Sequence, residues 1–233
     1  MLFDLDGTLR HNHPNGYHTL IEYLDELGYP LPPEVVNAGH RWTHRYWSIS
    51  PELGEDLAEF GGEGRAFWAR HTQRQLQALG VGLNGDLPNV AAEISRRFAE
   101  HYQPEHHVPD DVRPALARLR AAGYGVALVS NRTEPLDGLV DELGLAGAFD
   151  FTLSAGQAGA YKPDPAIFRA AMQRAGCAPE AGAYVGDNYY ADVEGARLAG
   201  LRPILIDPLG VFPNPGCAVI GQLSELEAAL LAL

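Results

Sequence analysis

Two textures follow one another along the chain. From Tyr17 to Tyr102 apolar residues recur at helical spacing. Tyr17, Leu20, Ile21, Leu24 and Leu27 mark a first helix that stops at Gly28. Pro32 and Pro33 open a second, running to about Ile49, and Pro51 opens a third over 51–60. A fourth is expected from Glu63 to about Leu79 and a fifth from about Leu87 to Tyr102. No stretch in this block reads as a strand. After the turn-rich residues 103–109 the pattern changes to short apolar runs alternating with amphipathic helices. Strands are expected at 126–129, 149–153, 183–185, 203–206 and 217–220. Helices are expected at 111–122, 134–144, 165–175, 191–199 and 224–233. Such alternation predicts a parallel sheet with right-handed crossovers.

The chain opens on one more apolar run, Met1 to Phe3, which ends in Asp4-Leu5-Asp6-Gly7-Thr8-Leu9. Nothing in the helical block offers this strand a partner, so it must join the later sheet. The helical block, residues 14–105, is then an insertion into a core made of 1–13 and 106–233. The two polar linkers, which hold His11, His13, His106 and His107, must run side by side; they read either as a polar hinge or as a second metal site. Because i and i+2 share a side of an extended chain, Asp4 and Asp6 can address one site. Carboxylates that close call for a cation or a shared proton, and Gly7 permits a sharp turn with exposed amides.

Composition narrows the picture. The net charge of −13 over 233 residues argues against nucleic-acid or anionic-membrane surfaces as partners, while leaving room for a local phosphate pocket. No apolar stretch is long enough to span a bilayer. Asp4 interrupts the apolar start after three residues, so no secretory leader is expected, and the early strand leaves room for a few residues before it. Two cysteines, Cys177 and Cys217, form neither a disulfide framework nor a metal spacing, which makes a reducing, cytoplasmic setting the expectation. Of 17 basic residues 16 are Arg; the single Lys is Lys162. A lone ammonium among guanidiniums suggests a place where a compact point charge is required.

In an open parallel sheet, ligands bind beyond the carboxyl ends of the strands. Those ends carry Asp4 and Asp6, Ser130 and Asn131, and Gly186, Asp187 and Asn188. Lys162 sits in a loop before a helix, and Asp192 lies in the first turn of another. Carboxylates and a hydroxyl suit Mg²⁺, and a cation beside a phosphate-sized hole suggests phosphoryl transfer.

These segments resemble, in order, the four motifs of the haloacid dehalogenase superfamily, in its branch with a helical cap: Asp4-Leu5-Asp6-Gly7-Thr8-Leu9; Ser130-Asn131; Lys162 within Lys-Pro-Asp-Pro; and Gly186-Asp187-Asn188-Tyr189-Tyr190-Ala191-Asp192. The resemblance implies an α/β fold, a Rossmann-like three-layer core with an inserted all-α cap that closes over the site. It implies that Asp4 is a nucleophile forming an aspartyl-phosphate and that Asp6 is the acid and then the base. Ser130, Asn131, Lys162 and Gly7 would hold the phosphoryl group. Asp4, Asp187, Asp192 and the backbone carbonyl of Asp6 would serve Mg²⁺. The family's true dehalogenases usually lack the second acid, because halide leaves without a proton, so Asp6 points to a phosphoric monoester hydrolase acting on a small phosphorylated metabolite. A sugar-phosphate mutase keeps the same residues, and a non-catalytic binding protein on the same fold is a third reading. The family commonly has an apolar residue and then an acid where this chain has Arg10 and His11. In the second helix Arg41 and Arg45, one turn apart among aromatics, either grip an acidic or planar part of the substrate together with Arg10 or are solvated. The sequence leaves a monomer and a homodimer equally open.

Overall fold

The first apolar run needs sheet neighbours on both edges, and it has them. The computed structural model describes residues 1–231 except 49, 63, 83 and 84. It begins with β1 (Leu2–Phe3) and β2 (His11–His13), followed by α1 (Gly16–Glu26), α2 (Pro33–Trp47), α3 (Pro51–Phe60), α4 (Arg65–Ala78) and α5 (Leu87–His101). Next come β3 (Glu105–His107), α6 (Val112–Ala121), β4 (Ala127–Ser130), α7 (Asp137–Glu142), β5 (Phe151–Ser154), α8 (Ala155–Ala158) and α9 (Pro165–Arg174). The chain continues through β6 (Ala183–Gly186), α10 (Gly195–Ala199), β7 (Arg202–Ile206), β8 (Ala218–Ile220) and α11 (Leu226–Leu231). No described helix is long and apolar enough to cross a membrane.

Six strands form one sheet in the order β5-β4-β1-β6-β7-β8, and every pairing is parallel. The strand order grows outward from β1 in both directions, so the chain reverses at β1, and the crevice of such a sheet opens at the carboxyl end of that strand. Register fixes what lies there. Phe3 is level with Leu128 of β4 and Val185 of β6, so Asp4 emerges beside the ends that carry Ser130 and Asp187. The amide of Asp4 still donates to the Val185 carbonyl, at 2.9 Å.

Both faces of the sheet are covered, as expected for strands that are apolar throughout. Phe3, Leu128, Val185 and Ile204 pack with Val112, Leu116 and Leu119 of α6 and Leu226 of α11 on one side. Leu2, Ala127, Val129 and Tyr184 pack with Ile167, Phe168 and Ala171 of α9 and Ala196 of α10 on the other. The result is a three-layer α/β unit. Each fully buried Leu, Ile or Phe contributes roughly 1.5–3 kcal/mol relative to exposure.

The chain divides into two compact units, Met1–His11 with everything from His106 on, and Asn12–Glu105. The second is helical. Its core joins Leu20 and Leu24 of α1 to Leu76 of α4 and Val90 and Ile94 of α5. A second cluster joins Tyr46, Leu53 and Phe67. Asn15 starts α1 by accepting from the amides of Tyr17 and His18, at 2.9 and 3.1 Å, which satisfies two otherwise orphaned donors. Asp56 of α3 is buried yet satisfied: Tyr46 and Arg74 both donate to it, at 2.8–2.9 Å.

Several boundaries differ from the sequence pattern. β2 and β3 pair as a two-stranded sheet in stretches read only as linkers. The helix expected over 134–144 is confined to α7, since Pro135 disfavours helical backbone before it. Ser154 and Gln157 form a capping box that creates the unforeseen α8. The helix expected over 191–199 is preceded by a wide π-type turn, Tyr189–Glu194, before α10. The expected ends at Ile49, Glu63 and Leu233 lie outside the described residues.

Candidate active site

Asp4 and Lys162 are both buried, and Lys162 reaches Asp4 across the end of the sheet. Lys162 Nζ donates to Asp4 Oδ1 at 2.6 Å, to Asp192 Oδ1 at 2.7 Å and to the Tyr184 hydroxyl at 2.9 Å. Its three protons are thereby all used. Burial alone would push this ammonium's pKa down, but Asp192 and Asp4 beside it hold it well above the ordinary lysine value. Tyr184 in turn donates to the Val129 carbonyl at 2.8 Å, and burial raises its own pKa.

The loop carrying Lys162 is fixed from two sides. Asn131 accepts from the Lys162 amide at 2.6 Å and donates to its carbonyl at 3.0 Å. Asp164 caps α9 by accepting from the Ala166 amide at 2.8 Å, and Pro165 occupies the first helical turn, where its missing N–H costs nothing. Asp192 is held similarly. Its second oxygen accepts from the Asn188 amide at 2.9 Å, and Asn188 caps the turn by accepting from the Tyr190 and Ala191 amides at 3.1 Å.

Two glycines make the close approach possible. Gly7 has φ +90°, and a Cβ there would stand 2.3 Å from an Asp187 oxygen. A Cβ at Gly186 would stand 2.3 Å from an Asp192 oxygen. Both carboxylates occupy space that a side chain would take.

Asp4, Asp187 and Asp192 each present an oxygen within 4.8 Å of the others. Desolvation, only partly offset by Lys162, pushes the Asp4 carboxyl up to about 7. Desolvation first, then repulsion from Asp4 and Asp192, raises Asp187 well above the usual carboxylate range, although Thr8 donates to it at 3.2 Å. Three hard oxygens whose negative charge a single ammonium offsets only in part form a donor set that fits a divalent cation of the Mg²⁺ type.

Residues 1–200 match the haloacid dehalogenase-like hydrolase family. The chain belongs to that family. It is 31% identical over 232 residues to human haloacid dehalogenase-like hydrolase domain-containing protein 3, covering 97% of this chain and 90% of the relative. It is 35% identical over 252 residues to a phosphoserine phosphatase of Thermus thermophilus, covering 100% and 98%. Among solved structures, a 2-haloacid dehalogenase of Pseudomonas syringae aligns over 99% of this chain and 97% of its own, with 30% identity and a TM-score of 0.56.

Within this hydrolase the expected residues divide. Asp4, Lys162, Asp187 and Asp192 meet directly, and Ser130 is buried at the adjoining strand end, its hydroxyl accepting from the Arg132 amide at 3.4 Å. Three expectations need correction. The Gly7 amide is not exposed for a phosphate; it donates to the Arg10 carbonyl at 2.8 Å, because the turn closes on itself. The Asn131 side chain is committed to the Lys162 backbone, so it positions that loop instead of facing a ligand. The Asp6 carboxylate does not join the cluster of Asp4, Asp187 and Asp192; it turns to Arg10, at 2.9 Å, and to Arg132, at 2.7 and 2.9 Å. Arg10 is itself held by His106 of β3. Arg41 and Arg45 lie on α2 in the helical unit, where Arg45 pairs with Glu52 at 2.9 Å. Sequence reading missed Tyr184, hidden as one more apolar strand position, and Arg132, the residue after Ser130-Asn131.

Proposed function

We propose that this hydrolase is a Mg²⁺-dependent phosphomonoesterase that works through an aspartyl-phosphate. The observation that carries the reading is the buried ammonium of Lys162 bridging Asp4 and Asp192, with Asp187 beside them. Asp4 Oδ attacks the phosphorus of a small phosphate ester, and the ester P–O bond breaks. The leaving oxygen takes a proton from the Asp6 carboxyl. Water then attacks the acyl-phosphate, gives its proton to Asp6 and releases inorganic phosphate and Asp4. Lys162 favours the ionised form of Asp4 against the desolvation that opposes it and offsets charge on the transferring group. Ser130 donates its hydroxyl proton to a phosphoryl oxygen. Asp4, Asp187 and Asp192, with the carbonyl of Asp6, are the residues that would hold Mg²⁺, which when bound supplies charge neutralisation at the phosphoryl oxygens. The helical unit, inserted after the first motif, is assigned the role of cap, selecting the leaving group.

The phosphatase name of one relative supports this reading, and Asp6 favours it over dehalogenation, which releases halide without a proton. Phosphoserine is a phosphate ester that also bears a carboxylate, and a small phosphorylated acid is accordingly our preferred substrate class. The test is hydrolysis of p-nitrophenyl phosphate in Mg²⁺. Wild-type protein is expected to release phosphate, and Asp4→Asn to abolish it; retained turnover in that variant rules out the nucleophile.

A further inference from the structure

We propose that Arg132 reads a carboxylate on the substrate, and that its capture of this group is what uncovers Asp6. The inference rests on the phosphomonoesterase reading and assigns one part of its specificity, recognition of a carboxylate, to a residue of the core unit.

Asp6 is held by two guanidiniums that differ in every respect except charge. Arg10 is sunk, its side chain 9% exposed, and anchored on its far side by His106. Arg132 is 40% exposed, and Asp6 is its side-chain partner. Arg132 engages both carboxylate oxygens through its Nε and Nη2, and Arg10 donates to Oδ1 through its Nη1. At least three of the roughly four acceptor positions of the carboxylate are therefore filled. A group that must pass a proton to a leaving oxygen has to turn part of that surface toward the ester, and the exposed guanidinium is the one able to withdraw. Arg10 alone then retains Asp6.

The fork of Arg132 is bidentate on a carboxylate already, so a substrate carboxylate can take the same two N–H groups without a change of geometry. Both side chains are more than a third exposed, so solvent screens the pair and a second carboxylate can compete for the fork. Placement agrees as well. Arg132 follows Ser130 by two residues at the strand end next to Asp4, and the charge of Asp4 reaches its guanidinium. A phosphate ester seated on Asp4 would bring a carboxylate two or three bonds beyond the ester oxygen toward Arg132.

The experiment compares kcat/KM for phosphoglycolate, the smallest such ester with one carboxylate, against p-nitrophenyl phosphate, whose remainder is neutral. In Arg132→Gln the ratio of the two is expected to fall about tenfold to a hundredfold relative to wild type, the loss expected for one charged hydrogen-bonded contact. The drop should sit mainly in KM for phosphoglycolate, and Arg132→Lys should recover part of it. A purely structural role would lower both substrates alike, and an unchanged ratio with both esters still turned over overturns this inference alone. If wild-type protein hydrolyses neither ester, the phosphatase reading fails and this inference goes with it.

Discussion

Asp6 sits two residues after Asp4, yet the two carboxylates keep different company. Asp4 faces an ammonium in a buried pocket, and the more exposed Asp6 faces two guanidiniums, one buried and one open to solvent. That separation suits different tasks, attack on phosphorus for one and proton traffic for the other. If Asp6 supplies the leaving-group proton, Asp6→Asn should slow an alkyl phosphate by about 10²–10⁴-fold. The first step with p-nitrophenyl phosphate, whose phenolate leaves readily, should suffer far less. Burst kinetics on the two esters separate the cases, and equal slowing removes Asp6 from the role of acid. At this scale the sequence was informative about side chains that carry charge and silent about their orientation. Lys162 stood out as the single lysine. Nothing in the order of residues told that Asn131 would spend both ends of its amide on a backbone thirty-one positions away.

Elements were legible wherever one face is apolar and the ends carry caps. The six sheet strands follow from runs such as Leu128-Val129 and Ile204-Leu205, because strands covered on both faces have no polar side to blur the pattern. The π-type turn at Tyr189–Glu194 was not, since it is shaped by the Asp192 carboxylate accepting from the Asn188 amide, by the Asn188 side chain accepting from the Tyr190 and Ala191 amides, and by the glycine that makes room for Asp192. In the helical unit the junction of α2, α3 and α4 depends on a polar residue at a position that reads as a helix surface. Asp56→Ala would leave the Tyr46 hydroxyl without its acceptor and Arg74 with Glu55 in place of its buried partner, and is expected to cost about 2–3 kcal/mol. Denaturant unfolding of the variant measures it; a loss below about 0.5 kcal/mol, typical of surface changes, shows the contact to be incidental.

For the molecule as a whole, a net charge of −13 sets the background against which three carboxylates are gathered at one point. Asp4 binds its proton up to about pH 7 in the metal-free fold, against 3.8 ordinarily. The folded state therefore holds a proton that the unfolded chain releases, and this group's contribution to stability falls as pH rises from 3.8 toward 7. A divalent cation needs the ionised form and competes with that proton. Apparent Mg²⁺ affinity should weaken about tenfold for each pH unit below 7 if one proton is displaced. Thermal melting with and without Mg²⁺ should show a larger shift at pH 8 than at pH 6. Equal shifts mean that Asp4 is no ligand. The arrangement has a practical corollary for anyone labelling the protein. Its only lysine is sealed in with all three N–H bonds spoken for, so side-chain amine chemistry has nothing to react with until the pocket comes apart. Acylation at residue 162 thus becomes a built-in reporter of the integrity of the site.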